Sequence, residues 1–368
     1  MLTVWAVDPG RVRHGQLKIT GCAAVVRDAD VGTFSVTAVM DDLAARVVEG
    51  WRVIIQDGAQ TVLSGPVESI EPDLIDGAVT LVGVSDLVHL RERLVYPNPA
   101  QAAGSQGDAY YKRTGPAAEV IDDLVHRNAG SAALAPRVVP GLVMAVAQGG
   151  LLGSTVTANL RFKNLLEECR ALARLGRVTF DAVQDGALIR FRFRAPEDRS
   201  RQVRFTDRNG GITEGRYVLA GSTATTVIVA GQGQGAARTI LERSRPSTWG
   251  RRIEAFKDQR DTDDAAELEQ SATEQLNEGA AGASAQFTVT ETPGLRFGTD
   301  YLLGDTVTVE VGPVTISEPL RAVELSWDGH GRTAALTLGD HDQADDKTPA
   351  WVSRIKKLDA RVRGMEVR

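Results

Sequence analysis

The chain has very few cysteines: Cys22 and Cys169 are the only two in 368 residues. They match no CxxC motif and no Cys/His spacing, which excludes a disulfide framework and a zinc finger. We expect both to be reduced core residues of a protein that is made in a cytosol. The cysteines therefore predict neither redox chemistry nor a metal centre.

Long apolar runs are also missing. No window reaches the roughly 20 apolar residues that a membrane-spanning helix needs. The N-terminus, Met1-Leu-Thr-Val-Trp5, has neither the basic start nor the apolar stretch of a signal peptide. Positive charge is in deficit, since 42 Lys and Arg face 48 Asp and Glu for a net charge of −6. Wholesale binding to nucleic acids or to anionic membranes is therefore disfavoured.

The usual signatures of catalysis are absent too. The five histidines have no HExxH spacing, there is no Gly-x-Ser-x-Gly elbow, and Cys169 lies on the apolar face of a predicted helix. Glu167 and Glu168 adjoin on that helix and do not face one another. The stretch from Asp340 to Asp346 lacks the glycine and the final glutamate of an EF-hand loop, so a solvated linker is favoured over a cation site. We predict that the protein is not an enzyme and has no catalytic residue, cofactor or metal.

One glycine-rich loop superficially matches a nucleotide-binding turn. Gly231-Gln-Gly-Gln-Gly235 follows an apolar strand and contains Gly-x-Gly-x-x-Ala. A dinucleotide site also needs a βαβ unit with a helix N-terminus at the pyrophosphate, and an acidic residue about 20 residues further on. The segment from Ser244 to Gly250 cannot be the second strand of such a unit. We therefore favour a loop that allows close backbone approach at a subunit contact.

What the sequence does contain is a stretch that occurs twice. Residues 64–71 and 317–324 both read Ser-x-Pro-aliphatic-x-x-aliphatic-Glu, 253 residues apart (317 − 64). The matching side chains are Ser64, Pro66, Glu71, Ser317, Pro319 and Glu324. A glycine precedes a β-branched strand upstream of each copy, and an Asp-Gly turn leads into another strand downstream. One three-stranded module is therefore predicted near both ends of the chain, which favours a ring-building protein over an enzyme.

The remaining pattern predicts a mainly β fold with α+β insertions: two similar antiparallel β-barrels, a small α+β domain and a short C-terminal helix. Five apolar segments between residues 17 and 84 are typical of a small barrel. Helical spacing indicates one helix after Pro116 and another from Phe162 to Leu172. The charged stretch from Arg238 to Arg260 is predicted to be irregular, and the acidic stretch before Gly279 to be a helix. The predicted domains are residues 1–95 (first barrel), 96–199 (α+β domain), 200–235 with 286–342 (second barrel), 236–285 (insertion with the acidic helix) and 343–368 (linker and C-terminal helix).

Three arginines alternate with apolar residues along one predicted strand, residues 188–194. They are Arg190, Arg192 and Arg194, which share the face opposite to the apolar side chains. One interpretation is contact with phosphate. Because aromatic stacking partners are absent from this face, we favour inter-subunit salt bridges with the acidic segment 258–278.

A short heptad pattern lies near the end of the chain. Its apolar positions are 4, 3, 4 and 3 residues apart, which is the a/d spacing of a coiled coil. They are Trp351, Ile355, Leu358, Val362 and Met365. Since such a short coil is marginal alone, we expect it to form a trimer or tip coil only if the barrels, or a separate fibre protein, impose the symmetry.

Several motifs resemble one known family. They are Gly32-Thr-Phe-Ser-Val-Thr-Ala, Gly50-Trp-Arg-Val, Leu63-Ser-Gly-Pro-Val-Glu-Ser-Ile-Glu, Thr114-Gly-Pro-Ala-Ala-Glu-Val-Ile, Val227-Ile-Val-Ala-Gly-Gln-Gly, Trp249-Gly-Arg-Arg-Ile-Glu-Ala-Phe and Phe297-Gly-Thr-Asp-Tyr-Leu-Leu-Gly-Asp-Thr-Val. In this order, across about residues 20–340, they look like the tail-hub (minor tail) proteins of long-tailed siphovirus phages of actinobacteria. That family is remotely similar to the central baseplate hub of contractile phage tails.

The resemblance implies a homotrimeric structural protein at the tail tip of the virion, with two barrels per chain. Six similar barrels in a threefold particle would adapt a sixfold tail ring to a threefold tip around the DNA channel, with roles in host attachment and DNA ejection. The implied partners are the protein itself, the distal tail ring protein, the tape-measure protein, downstream tip or fibre proteins, and DNA in passage. Many relatives continue into a lysin or fibre region that has no counterpart before Arg368, so no peptidoglycan-cutting activity is expected.

An alternative function is a receptor- or carbohydrate-binding tail-tip protein. Such a protein presents aromatic side chains in exposed loops. Tyr96, Tyr110 and Tyr111 form the one cluster of this kind. They flank residues 97–107, which are small and polar and are therefore predicted to be a mobile loop.

Overall fold

The computed structural model describes residues 2–73, 75–144, 152–207, 211–247, 250–260, 262–289, 291–292, 294–328 and 331–339. The chain separates into two compact units. The first contains Met1–Glu214 and Thr288–Leu336, and the second contains Gly215–Phe287 and Thr337–Arg368. Within the described residues, strands far outnumber helices, so the predicted mainly β class is confirmed.

Seven strands form the N-terminal part of the sheet in the first unit. They are β1 (Leu2–Val7), β2 (Arg13–Gln16), β3 (Ile19–Arg27), β4 (Asp30–Val39), β5 (Arg52–Asp57), β6 (Gln60–Asp73) and β7 (Ala78–Val84). Their order is β3-β4-β7-β6-β5-β1-β2, and each neighbouring pair is antiparallel. The five apolar segments predicted between residues 17 and 84 are the strands β3 to β7, whereas β1 and β2 were not predicted.

The long strand β6 changes its partner at Pro66. Its first half pairs with β5, so that Arg52 is opposite Pro66 and Ile54 is opposite Ser64. Its second half pairs with β7 as far as Asp73. Proline has no backbone N–H to donate, so it is tolerated where one ladder ends and the next begins.

The second copy of the motif repeats this arrangement within the first unit. Its strands are β19 (Thr306–Val311), β20 (Val314–Asp328) and β21 (Gly331–Leu338). The long strand β20 pairs with both of the others. Thr306 is opposite Pro319 and Thr308 is opposite Ser317, which is the register of the first copy. The predicted repeat of a three-stranded module is therefore confirmed. A short strand, β13 (Arg204–Thr206), lies parallel to β19.

The two copies are joined edge to edge by an antiparallel ladder between β3 and β20. Ala322 is opposite Arg27 at one end of this ladder, and Trp327 is opposite Cys22 at the other. One sheet therefore runs through both copies. Among the described strands, the pairings follow an open path and do not close into two separate barrels, so the two-barrel architecture stays a prediction.

The α+β region follows the first copy and belongs to the same unit. Its elements are α1 (Val88–Arg91), β8 (Tyr111–Pro116), α2 (Ala117–Asn128), β9 (Leu142–Met144), β10 (Thr155–Leu160), α3 (Leu165–Gly176), β11 (Thr179–Asp185) and β12 (Leu188–Arg194). The side-chain oxygen of Asn164 caps α3 by accepting the backbone N–H groups of Leu166 and Glu167. The apolar faces of α2 and α3 lie in one buried core. Both predicted helices are thus confirmed.

The loop predicted to be mobile is held by its own hydrogen bonds. The side-chain amide of Gln106 donates to the carbonyls of Gln101 and Ala102, at 2.9 and 3.0 Å. Its oxygen accepts the N–H of Asn98 at 2.7 Å. Small polar residues thus stabilise a compact turn through side-chain to backbone hydrogen bonds, and the mobility expected for this loop stays a prediction.

The second unit contains a small sheet with a helix on one face. β14 (Ile212–Ala220) leads into it and β18 (Gly282–Val289) leads out. Between them lie β15 (Thr226–Ala230), β16 (Ile240–Ser244), β17 (Glu254–Asp258) and α4 (Ala265–Glu278). β15 pairs with β16 and β17, and α4 packs on the buried Val227 and Val229. The acidic helix is confirmed, but the prediction of an irregular segment from Arg238 to Arg260 was wrong, because β16 and β17 lie there.

Candidate functional site

Buried charge collects around the repeated motif. Among the described residues, no group of His, Cys, Asp or Glu is placed to hold a metal ion. In the same part of the chain, no helix has the length and apolar character needed to cross a membrane. The candidate functional residues are therefore those that fix the two copies of the motif and those that give its surroundings their charge.

Ser64 lies at the centre of a buried hydrogen-bond network and is itself fully buried. Its hydroxyl donates to Asp86 Oδ2 at 2.6 Å and accepts the backbone N–H of Gln184 at 2.6 Å. Arg52 donates to the other oxygen of Asp86 and, through Nε, to the side-chain oxygen of Gln184 at 3.1 Å. Asp86 and Arg52 form an ion pair whose side chains are 0% and 7% exposed. This network connects the first copy of the motif to β11 of the α+β region.

The matching serine of the second copy has a smaller network. Ser317 and Thr308 share a hydrogen bond of 2.8 Å, and the Thr308 hydroxyl donates to the carbonyl of Ser200 at 2.8 Å. Because Thr308 has only one hydroxyl proton, Ser317 is the donor to Thr308. The two serines therefore occupy the same register position but bind different partners, one charged and one neutral.

The prolines and glutamates of the motif also have matching positions in the two copies. Pro66 and Pro319 each lie opposite the first residue of the preceding strand in their module. Glu71 and Glu324 are exposed on their strands. Ser64 is buried whereas Ser317 is exposed, each proline marks the change of partner and both glutamates face solvent, so the motif residues fix a strand.

The arginine row of β12 is paired within its own chain. Arg192 makes a bidentate contact with Asp181 at 2.9 and 2.7 Å, and Arg190 donates to Asp185 at 2.7 Å. The hydrogen bonds that Arg192 donates to Asp181 raise the pKa of its guanidinium. Asp181 and Asp185 lie on β11, the neighbouring strand, so these are cross-strand pairs.

Arg194 is the third arginine of the row, and its carboxylate partner is more deeply buried than those of Arg190 and Arg192. It donates to the buried Asp305 at 2.6 Å and to the carbonyl of Leu303. The acidic segment of the second unit has its own basic partners, for example Arg243 on Glu269 and Lys257 on Glu274. Among the described residues, the arginine row and the acidic segment each have oppositely charged partners inside one unit. The pairing expected between subunits stays a prediction.

A second charged cluster lies where the two copies meet. Asp57, at the end of β5, accepts from Arg332 of β21 at 2.5 Å and from Arg296 at 3.0 Å. Arg332 also donates to Glu291 and to the carbonyl of Phe297, both at 2.9 Å. Burial opposes ionisation of Asp57, but the hydrogen bonds from both arginines outweigh it and lower the pKa of this carboxyl. Burial raises the pKa of Glu291.

The sequence is matched by one family model, described as Siphovirus ReqiPepy6 Gp37-like protein, over residues 4–340. The chain belongs to this family. The resemblance to a siphovirus family that the motifs indicated is thereby confirmed. No curated protein sequence matches the chain.

Three solved structures with the same fold are tail proteins. The 43 kDa tail protein of prophage MuSo2 from Shewanella oneidensis superposes with a TM-score of 0.60 and 14% identity, over 92% of this chain and 97% of that one. A tail protein from Neisseria meningitidis MC58 gives 0.57 and 12%, over 92% and 96%. Prophage tail protein gp18 from Listeria monocytogenes EGD-e gives 0.55 and 11%, over 97% and 98%. At these identities the likeness shows the fold alone.

The glycine loop after β15 has no geometry for a nucleotide. The guanidinium of Arg238 folds back and donates to the carbonyls of Gly231 and Ala230, both at 2.7 Å. The chain then enters β16, which runs antiparallel to β15, instead of the helix that a pyrophosphate needs. A Cβ at Gly233 would lie 2.9 Å from the carbonyl oxygen of Ala237. Close backbone approach is present, but between two parts of one loop.

The tyrosines proposed for carbohydrate binding are engaged elsewhere. Tyr111 is 6% exposed and its hydroxyl donates to Asp123, while burial raises the pKa of its hydroxyl. The guanidinium of Arg137 lies 3.7 Å from the ring centroid of Tyr96, whose edge meets Phe162. An exposed aromatic cluster was therefore a wrong expectation, because two of its three members stabilise the α+β region.

The positions of the predicted coil lie outside the described residues. They are Trp351, Ile355, Leu358, Val362 and Met365.

The cluster of Asp57, Glu291 and Arg332 was not predicted from the sequence, because its members come from separate strands and loops. One sequence signal was available for Asp57. The β5 hairpin is flanked by glycines and is repeated later in the chain, and this pattern places Asp57 at the end of a strand.

Proposed function

We propose that this protein is a non-enzymatic structural component of the virion, a homotrimeric hub at the phage tail tip. In this role it adapts the sixfold tail ring to the threefold tip and surrounds the DNA channel. The observation that carries the proposal is the repeat: two copies of one module, in the same register, lie in one chain and are joined through β3 and β20. Three such chains present six similar surfaces with threefold symmetry, which an adapter between six and three requires.

The family and the fold support a position in the tail. The matched family is a siphovirus family, and the three structures with the same fold are tail proteins. The charged residues support a structural role, because the described ion pairs connect strands and loops of one unit. Arg194 on Asp305 and Arg332 on Asp57 are two such connections.

The proposal includes a set of partners. They are a second and third copy of this chain, the distal tail ring protein, the tape-measure protein and downstream tip or fibre proteins. DNA is a transient partner, and the net charge of −6 favours its passage over its retention. The domain division given above, with the two barrels and the C-terminal coil of residues 351–365, is part of the same proposal.

The test is the mass of the purified protein, measured by light scattering, followed by end-on negative-stain imaging. We expect a particle of about three times 39.4 kDa that shows a ring with six lobes. A ring of three lobes would contradict the equivalence of the two copies. A chain that stays monomeric as its concentration rises, and that binds no tail ring protein in a pull-down, would overturn the hub.

A further inference from the structure

The two copies of the module differ at one edge. In the second copy, the residues 322–326 of β20 pair with β21 on one side and with β3 on the other. The corresponding residues of β6 are 69–73, which pair with β7 on one side. No described strand pairs with their other side. A backbone edge that is covered in one copy is therefore open in the other.

Side-chain exposure follows the same difference. Val323 and Leu325 on β20 are fully buried. Their counterparts on β6 are Ile70, which is half-buried, and Pro72, which is exposed. In the second copy, β3 and its surroundings cover these positions. In the first copy, the open edge of β6 leaves the corresponding positions uncovered.

The strand that corresponds to β3 in the second copy is β14. Both strands have nine residues and both begin with Ile-Thr. The hydroxyl of Thr20 donates to the carbonyl of Thr37 on β4 at 3.3 Å, and the hydroxyl of Thr213 donates to the carbonyl of Thr288 on β18 at 3.2 Å. The residues between β14 and β18 take the place of the tight turn between β3 and β4.

The strands that follow them also match in sequence. β4 contains Phe34-Ser-Val-Thr and β18 contains Phe287-Thr-Val, which Thr290 follows. The two phenylalanines are 253 residues apart (287 − 34), the spacing of the serine-proline motif. β14 stands at one end of the strand order, so its outer side has no described partner strand.

We propose that β14 of one copy of this protein adds to the open edge of β6 in a second copy, antiparallel, as β3 adds to β20 within one chain. This inference rests on the proposed homotrimer and names the surface that holds it together. The occupant is a second copy because the chain already contains both halves of the joint, one open acceptor edge and one strand of the type that fills the matching edge.

The internal ladder predicts the register of this joint, since Glu324 is opposite Val25 in that ladder. Thr288 is the counterpart of Ser35 (288 − 253), so β14 is shifted by two residues from an alignment of the two Ile-Thr pairs. Gly215, whose Cβ position lies 2.4 Å from the ring of Phe287, takes the place of Ala24, which is opposite Phe34. Transfer of this register to the joint places Glu71 opposite Arg216. Charges of opposite sign that face each other on neighbouring strands attract, so the pair favours this register over a slip by one residue.

The neighbouring positions follow from the same register. Ile70 is placed opposite Tyr217, an exposed aromatic residue with 43% of its surface accessible. Asp73 is placed opposite Glu214 at the end of the ladder, where its carboxylate accepts the N–H groups of Ile75 and Asp76.

The exposed acids Glu68, Glu71 and Asp73 along β6 repel edges that carry negative charge. Pro72 also has no N–H to donate, which shortens the ladder. The edge is therefore protected against indiscriminate pairing while it remains open to a strand that carries a cation at the matching place.

Charge reversal tests the joint without disturbing the core, because both partners are exposed. We expect Glu71→Arg alone and Arg216→Glu alone each to raise the concentration for half-dissociation of the trimer at least tenfold, measured by sedimentation. The double variant Glu71→Arg with Arg216→Glu should restore wild-type assembly. The matched control is Glu92→Arg, a reversal at an exposed acid of the α+β region, and should leave assembly unchanged. Thermal unfolding of each variant shows that its fold is intact.

A covalent link tests the same register directly. Ser69→Cys and Val218→Cys in one chain place two thiols opposite each other in the joint, whereas native Cys22 and Cys169 are buried. We expect oxidation to give linked oligomers up to the trimer on a non-reducing gel, and Ser69→Cys alone to give none. A trimeric wild type that tolerates both single reversals and does not crosslink overturns the joint but not the hub. A wild type that neither forms a trimer nor crosslinks overturns both.

Discussion

Gly50 and Gly304 occupy the same place in the two copies of the module, and the backbone φ of each is +83°. Each glycine comes two residues before the strand residue that lies opposite the motif proline. Because side chains with a Cβ rarely adopt this conformation, the turn that starts each hairpin depends on glycine. The repeat therefore extends beyond the serine-proline motif to the backbone geometry of the turn before it.

Replacement of either glycine by alanine should destabilise the protein by about 1–2 kcal/mol, the strain of an L-residue in the left-handed region. The added Cβ would also lie 3.3 Å from Pro9 in the first copy and 3.3 Å from Asp28 in the second. The measurement is the free energy of unfolding in urea. Gly21→Ala is the control, because no atom lies within 4 Å of its Cβ position. Equal stability of all three variants would contradict the role of the turn.

Asp86→Ala should cost about 3–5 kcal/mol of unfolding free energy, because it leaves the buried Arg52 without its counter-charge. Asp185→Ala removes the partner of Arg190 at the surface, where the two side chains are 65% and 50% exposed. That change should cost less than about 1 kcal/mol. Urea unfolding of the two variants measures the contrast, and similar losses would show that the buried network does not stabilise the fold.

The Asp57 and Glu291 carboxyls should give opposite pH dependences. The folded pKa of Asp57 is lowered, so its stabilisation is present above the unfolded value of 3.8 and is lost as pH falls through the folded pKa. The folded pKa of Glu291 is raised, so its contribution is greatest below the unfolded value of 4.5 and is lost as pH rises through the folded pKa.

Urea midpoints from about pH 3 to about pH 6 measure both effects. Asp57→Asn should flatten the decrease in stability on the acid side. Glu291→Gln should remove the decrease that occurs on the way to neutral pH. A wild-type curve with the same shape as both variants would contradict the assigned pKa directions.

Asp264→Ala should destabilise the second unit by about 1 kcal/mol, since its side chain accepts the N–H groups of Ala266 and Glu267 at the start of α4. The neighbouring Asp263 is exposed and lies outside this cap, so Asp263→Ala is the matched control. Hydrogen exchange of the α4 amides measures the local effect. Equal protection of these amides in both variants would exclude the cap as a stabilising contact.

The sequence predicted the repeat well because strand alternation, turn glycines and the Ser-x-Pro motif are all local signals. β16 and β17 were missed for the opposite reason. Their residues include Glu242, Arg243, Glu254 and Lys257, so charge obscures the period of two in these short strands. β1 was missed because it lies at the N-terminus without a preceding turn.

The charged networks could not be predicted, because they join residues that are remote in sequence. Asp57 and Arg332 are 275 positions apart, and Arg194 and Asp305 are 111 apart. The arginine row was recognised from its alternation, yet its partners, Asp181 and Asp185, follow only from the pairing of β11 with β12. Position along a strand is a local property, whereas the partner of a charge depends on the register between strands.

The ladder between β3 and β20 also has a consequence for synthesis. Cys22 and Trp327, which face each other across it, are 305 residues apart (327 − 22). Loop closure over such a distance makes this pairing a late step, because local contacts form first. On the ribosome, the first copy therefore emerges with the β3 edge uncovered, and it stays uncovered until Trp327 has been translated. During that interval, the nascent protein depends on chaperones or on fast local folding to avoid pairing with other unfinished chains.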